Sequence, residues 1–147
     1  MRPASAVLGV SAALLAGSAG AMTWTPAGVT YATGHETVAT PGAGTKTCGA
    51  FWNLNVTKAG AMRVLDAGAP ECGVTAYGLP WRIQPTGPTT AVIRNVWFQG
   101  MSYTFCQGDV TVKVQPDGAL ILTSHPMAAG CSLSATIVPT PGVQIAQ

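Results

Sequence analysis

Two cysteine-bounded stretches of nearly equal length, residues 48–72 and 106–131, share one pattern of strand, turn and strand. In the first, apolar residues alternate with polar ones, a turn follows and the chain returns: Trp52, Leu54 and Val56, then 58–60, then 62–65. The second repeats this order: Val110, Val112 and Val114, then the turn 115–118, then 120–122. Alternation of period two around a central turn predicts a β-hairpin. Each hairpin would bring its two cysteines together, so we predict an all-β protein with two disulfides.

The four cysteines allow three disulfide connectivities, and the residues alone leave all three open. Hairpin geometry favours Cys48 with Cys72 and Cys106 with Cys131. A zinc site is the alternative, but no cysteine has a partner at the two-to-four-residue spacing typical of zinc ligands. We therefore predict no metal site and no cofactor.

Residues 1–21 have the features of a secretory signal peptide. Arg2 supplies the positive charge, residues 6–16 the apolar run, and residues 19–21 a small-residue cleavage site. A membrane anchor is the alternative, but the stretch is shorter than the roughly 20 apolar residues of a transmembrane helix. We expect export to the medium, the cell surface or the periplasm, leaving residues 22–147 without a transmembrane segment.

The chain has few charges. Charged residues make up 8% of it and the formal net charge is +2, whereas about a quarter of the residues in a typical domain are charged. No basic stripe is present to neutralise phosphates, which argues against a nucleic-acid partner. Repulsion between copies is therefore weak, and self-association or adsorption to an apolar surface is less opposed than usual.

The mature part, residues 22–147, is predicted to form a single antiparallel β-sandwich or barrel-like domain, because strand-length segments alternate with Gly- and Pro-rich turns. Its Thr/Gly/Ala-rich leader, residues 22–47, is a candidate edge strand or a strand exchanged with a neighbour. The runs 91–98 and 119–122 are apolar on successive residues. Such runs are either buried on both faces or contact something outside the domain, and burial is the commoner case.

Candidate catalytic residues are few. A Ser/His/Asp combination can be drawn from Ser102 or Ser124, His125 and Asp109, but no nucleophile elbow surrounds either serine. We therefore predict a protein that is not an enzyme, with no catalytic residue.

Aromatic side chains are the better functional signal. Trp97 and Phe98 are adjacent and should point to opposite faces of one strand, while Trp24 and Tyr31 lie in the leader. These four are the candidate surface-contact residues, since an exposed ring can contact an oily surface, a carbohydrate or a second subunit. A leader anchored by Trp24 and Tyr31 would also suit a fibre subunit or adhesin assembled by β-strand addition.

Several short segments resemble one known family. They are Thr-Trp-Thr-Pro-Ala at 23–27, Ala-Thr-Gly at 32–34, Gly-Leu-Pro-Trp at 78–81 after Cys72, Gly-Cys-Ser-Leu at 130–133 and Pro-Thr-Pro at 139–141. In this order they resemble the secreted bacterial activators of alkane oxidation, the Pra-type proteins. The resemblance implies an extracellular, non-catalytic protein that helps cells use long-chain hydrocarbons, by emulsifying them or by aiding contact with them. A carbohydrate- or ligand-binding domain is a further alternative.

Overall fold

A computed structural model describes residues 21–147, and residues 1–20 of the predicted signal peptide lie outside the described residues. The described part is all-β, with three short 3-10 turns at Pro70–Cys72, Met101–Tyr103 and Ala128–Gly130. Its strands are β1 (Thr23–Thr25), β2 (Gly28–Thr40), β3 (Gly44–Val56), β4 (Met62–Ala69), β5 (Val74–Tyr77), β6 (Trp81–Pro85), β7 (Thr90–Gln99), β8 (Phe105–Val114), β9 (Leu120–Ser124), β10 (Ser132–Thr140) and β11 (Gln144–Ala146). Across residues 21–147, no helix is long and apolar enough to span a membrane.

The main sheet closes into an antiparallel barrel with eight strand positions. In order around the ring these are β2, β3, β4, a shared position, β7, β8, β9 and β10, which pairs back to β2. The shared position holds β5 and β6 end to end, since both pair with β4 and with β7. Of the sandwich and the barrel that the sequence allowed, the barrel is therefore the correct one. Its interior is filled by side chains, as expected for eight strands.

Both predicted hairpins and both disulfides are confirmed. Val56 pairs with Met62 across the first turn, and Val114 pairs with Leu120 across the second. The disulfides join Cys48 to Cys72 and Cys106 to Cys131, with Cα–Cα distances of 5.9 and 5.8 Å. Disulfides of this kind are typical of proteins in oxidising compartments.

The apolar run at 91–98 is not buried on both faces, which corrects the favoured expectation. A bulge interrupts its pairing with β8 between Ile93 and Val96, and Asn95 has a φ of 56°. The carboxylate of Asp109 accepts a hydrogen bond from the Asn95 backbone N–H at 3.0 Å, which holds the bulge. Because the one extra residue shifts the alternation, Ile93 and Val96 both face inward. The outer face of β7 is then open to solvent at Trp97.

The two ends of the barrel differ. The hairpin turns at 57–61 and 115–119 lie at one end, where the two-stranded sheet β1–β11 packs and Trp24 enters the core. We call this the capped end. The opposite end carries the loops 41–43, 100–104 and 125–131 together with both disulfides. We call it the disulfide end.

The leader contributes β2, a full member of the barrel. This strand pairs with β3 along its whole length and with β10 from Tyr31 to Ala39, so both of its edges are occupied by its own chain. Gly34 lies where β10 approaches closely, and a Cβ atom there would collide with the carbonyl oxygen of Thr136. This contact gives a physical reason for the glycine in the Ala-Thr-Gly segment.

Candidate functional site

Three aromatic rings pack against one another on the outside of the barrel, near the disulfide end. Tyr77 of β5 is the direct cross-strand partner of Trp97 of β7, and Phe105 of β8 lies diagonally beside Trp97. The ring centroids are 5.6 Å apart for Tyr77–Trp97 and Tyr77–Phe105 and 6.1 Å apart for Trp97–Phe105. These distances lie in the range of favourable aromatic pairs. We call these three residues the aromatic cluster.

The segment Gly78–Trp81 positions the cluster. Gly78 has a φ of 65°, and a Cβ atom there would meet the Trp97 ring at 3.2 Å. The glycine therefore lets the chain turn after β5 while the indole lies against the backbone. On the inner side, the Trp81 indole N–H donates to the backbone carbonyl of Tyr77 at 2.9 Å. Trp81 in turn packs against Trp52 in the core, with centroids 5.8 Å apart.

The cluster leaves a large part of each ring in solvent. The exposed fractions are 36% for Tyr77, 39% for Trp97 and 51% for Phe105. The Tyr77 hydroxyl donates a hydrogen bond to the side-chain oxygen of Gln99 at 3.2 Å, so the polar atom of this ring has a partner at the edge of the cluster. On the same outer face of β7 and β8, the ion pair of Arg94 and Asp109 lies towards the middle of the strands. The cluster is thus a neutral, aromatic surface.

A strained loop and a groove adjoin the cluster. In the loop between β7 and β8, Ser102 and Tyr103 both have positive φ, at 57° and 58°, and Tyr103 is 86% exposed. Two successive non-glycine residues with left-handed backbone conformation are strained, and such strained residues are common at functional sites. Beside the loop lies a groove of about 410 Å³. Polar or aromatic side chains supply part of its lining, namely Thr75, Gln99, Ser102 and Tyr103, and the rest comes from Cys72, Gly73, Gly100 and Met101.

Of the four predicted surface-contact residues, two lie in the core. Trp24 is 2% exposed, and its indole N–H donates to the Ile83 carbonyl at 2.8 Å, so the ring is anchored inside the capped end. Phe98 is 1% exposed, because it follows Trp97 on the strand and faces the opposite way. The predicted surface position is wrong for these two residues. Trp97 belongs to the cluster, and Tyr31 is 52% exposed.

Tyr31 lies far from Trp97. Its strand, β2, is four positions from β7 in either direction around the ring, which places the two residues on opposite sides of the barrel. Val138 of β10 lies diagonally to Tyr31 and is also exposed, as is Val29. Tyr31, Val29 and Val138 thus form a separate, mainly aliphatic surface patch.

The candidate triad is not assembled. The Ser124 hydroxyl accepts a hydrogen bond from the Leu133 N–H at 2.8 Å, and His125 Nε2 is bonded to Thr111 at 2.7 Å. The Asp109 carboxylate is engaged by Asn95 and Arg94, and Ser102 lies in the loop between β7 and β8. In the described part of the chain, no group of three or more His, Cys, Asp or Glu residues is placed to hold a metal ion.

The sequence interpretation missed three residues. Tyr77 and Phe105 were not selected as surface residues, yet a signal existed for Phe105: Cys106 must face inward to form its disulfide, so its strand neighbour faces outward. The third, Glu36, is buried inside the barrel. It shares the inward phase of Ala32 and Val38 on β2, which becomes visible only when that segment is recognised as one long strand.

Comparison with known proteins gives one match. A family model described as alkane oxidation protein activator PraA/PraB-like matches residues 1–147. No curated protein and no solved structure gives a significant match.

Proposed function

The chain belongs to the family of PraA/PraB-like alkane oxidation protein activators, and from this membership we propose that it is a secreted, non-catalytic protein that acts at apolar surfaces. In this proposal the aromatic cluster contacts long-chain hydrocarbon and so aids its contact with the cell or its emulsification. The observation that carries the proposal is the cluster itself, three mutually packed and partly exposed rings on a closed barrel.

The chemistry of the cluster fits an apolar partner. Aromatic rings bring a large apolar area into contact at little entropic cost, because each has only two side-chain torsions. The rings are already packed against one another, which reduces the ordering needed on binding. The low charge of the whole chain also lowers the repulsion between copies that accumulate at an interface.

The test is the tension of a hexadecane–water interface measured by the pendant-drop method at micromolar protein. We expect the protein to lower the tension and the triple variant Tyr77→Ser, Trp97→Ser, Phe105→Ser to lower it more slowly and less. Tyr31→Ser is the matched control, because it removes an exposed ring from the opposite side of the barrel. Circular dichroism establishes that each variant is folded. Equal surface activity of the protein and the triple variant would refute the proposal.

Binding of a neutral carbohydrate is a second candidate, favoured by the groove beside Tyr103. Sugars bind by stacking on aromatic rings and by hydrogen bonds to neutral polar groups, and the groove supplies hydroxyls and the Gln99 amide. Titration with soluble oligosaccharides, followed by tryptophan fluorescence, tests this candidate. It requires a saturable change that disappears in Tyr103→Ala, which removes the aromatic ring of the groove and leaves the four tryptophans in place.

As a fibre subunit assembled by strand addition, the protein would first have to open its closed barrel. Strand addition needs an open sheet edge, and β2 is paired on both sides in the closed barrel. Exchange of β2 between copies would have to break both ladders first. Electron microscopy of the secreted protein tests for fibres.

A further inference from the structure

Glu36 is a carboxyl group inside an apolar barrel. It is 2% exposed and lies on β2 opposite Ala135 of β10 and Cys48 of β3. One carboxyl oxygen, Oε2, accepts a hydrogen bond from the Trp52 indole N–H at 3.4 Å. The other, Oε1, has no hydrogen-bond partner within residues 21–147. Such a group is unusual in a protein core, where polar atoms are nearly always bonded.

The space around the carboxyl is small and apolar. Six other strands line it with apolar side chains, for example Trp52, Ala67, Val74, Trp81, Phe98 and Leu133. Its volume is about 10 Å³, and roughly 10–15 Å³ is the least that accommodates one water molecule. An ionised carboxylate therefore has no room for a hydration shell unless the wall moves.

Among residues 21–147, no cationic side chain lies inside the barrel to compensate the carboxyl. The titratable side chains on the strands around this space are all exposed on the outer face: Tyr31, His35, Lys46, Arg63, Asp66, Tyr77, Arg82 and Arg94. β10, which also lines the space, carries no titratable residue. Burial accordingly raises the pKa of Glu36 from 4.5 to about 7, although the hydrogen bond from Trp52 partly opposes this by favouring the charged form.

We infer that Glu36 is a protonation switch: the neutral side chain fits the closed barrel, and its ionisation puts an uncompensated charge into the core and loosens the facing wall. That wall is β7, four positions around the ring from β2, with Val96 and Phe98 at the cavity. The outer face of the same strand carries Trp97. The inference does not depend on the proposed function, because it concerns the barrel alone.

The direction in which stability changes with pH follows from the pKa of Glu36 in the unfolded and in the folded chain. The unfolded chain releases this proton near pH 4.5 and the folded protein near pH 7, so the folded state retains a proton that the unfolded state has lost between these values. The contribution of Glu36 to the free energy of unfolding should therefore be greatest below about pH 4.5. It should decrease as the pH rises from 4.5 to about 7 and change little at higher pH.

The first test observes the proton directly in the unmodified protein. The chain contains two glutamates, Glu36 and Glu71, so selective labelling with δ-¹³C glutamate gives two carboxyl signals, and Glu71→Gln assigns them. We expect the Glu36 signal to titrate in the neutral range. Titration near the ordinary value of 4.5 would overturn the inference.

The second test locates the loosening. Amide protection factors are measured by hydrogen exchange at pH 6 and pH 8 in the protein and in Glu36→Gln. We expect protection in β5 and β7 to fall at pH 8 by up to about tenfold in the unmodified protein, the most that the two pKa values allow between pH 6 and pH 8, and to stay constant in the variant. Glu71→Gln, which removes an exposed carboxyl, should behave like the unmodified protein. Protection in β5 and β7 that does not change with pH would refute the switch, and this measurement remains valid even if Glu36→Gln fails to fold.

Discussion

Trp97 and Phe98 are neighbours on β7 and lie in opposite environments. Phe98 faces the barrel interior and is 1% exposed, whereas Trp97 packs with two other rings on the outside and is 39% exposed. Both are large and apolar, and they follow Val96 directly in the sequence. The difference arises from the alternation of the strand, which sends each successive side chain to the other face.

The aromatic rings inside the barrel and those on its outer surface differ in what they contact. Inside, apolar rings fill the barrel, and Trp52 and Trp81 also satisfy their indole N–H groups through Glu36 and the Tyr77 carbonyl. Outside, the rings bury only part of their surface, so they contribute less to folding than their size suggests. A partly exposed aromatic cluster on a barrel that has its core already filled is available for a partner.

The largest effect expected is the loss of stability in Phe98→Ala. Removing a buried phenyl ring leaves a cavity and should lower the free energy of unfolding by about 3–5 kcal/mol. Urea unfolding followed by circular dichroism measures this, and Phe98→Leu should lose much less. A loss below about 1 kcal/mol would mean that the inner face of β7 is not a packed wall.

The disulfides should come next. Cys106 is buried beside Phe98 as its partner on β8, and both bridges close loops of almost the same size, with sequence separations of 24 and 25. Loops of this size predict a loss of about 3 kcal/mol for each bridge on the chain-entropy argument. Paired Cys→Ala variants of each bridge, compared by urea unfolding, should therefore lose similar amounts. A clear difference between the two losses would show that packing around one bridge contributes more to the free energy of unfolding than closure of its loop does.

Local patterns in the sequence predicted the hairpins and their disulfides because both depend on residues close together in the chain. Closure of the barrel was not predictable, because it depends on β2 pairing with β10, about 100 residues away. The bulge at Asn95 also escaped prediction. It depends on a hydrogen bond from the backbone of β7 to Asp109 of β8.

The aromatic cluster was predictable only in part, since its rings come from three strands that are adjacent only once the sheet has its register. Trp97 was identified from alternation within its own strand. Trp24 was placed on the surface because its leader is rich in small polar residues, but the barrel end provides it with a buried acceptor at Ile83. Glu36 was missed because alanine and glycine blur the inward phase of β2.

The third prediction concerns Glu36, across the barrel from Phe98. With its pKa raised from 4.5 to about 7, the free energy of unfolding should be lower at pH 8 than at pH 5 by at most about 3 kcal/mol. Relaxation of the core around the charge reduces this figure. Urea unfolding at the two pH values measures the difference, which Glu36→Gln should abolish and Glu71→Gln should preserve. A stability that rises with pH in the unmodified protein but not in Glu36→Gln would contradict the assignment.

The smallest effect on stability is expected from Trp97→Ala, the outward neighbour of Phe98. Because part of the ring is already in solvent and no hydrogen bond holds it within the described residues, its loss should cost about 1–2 kcal/mol at most. Its effect on surface activity should be larger than that of Tyr31→Ala, although Tyr31 is the more exposed ring. Trp97 acts with Tyr77 and Phe105 as one apolar area, whereas Tyr31 is a single ring beside aliphatic side chains. Pendant-drop tension and urea unfolding on the same samples separate the two quantities. If Trp97→Ala destabilised the fold as much as Phe98→Ala, the outer rings would belong to the structural wall, and the distinction between the two faces of β7 would fail.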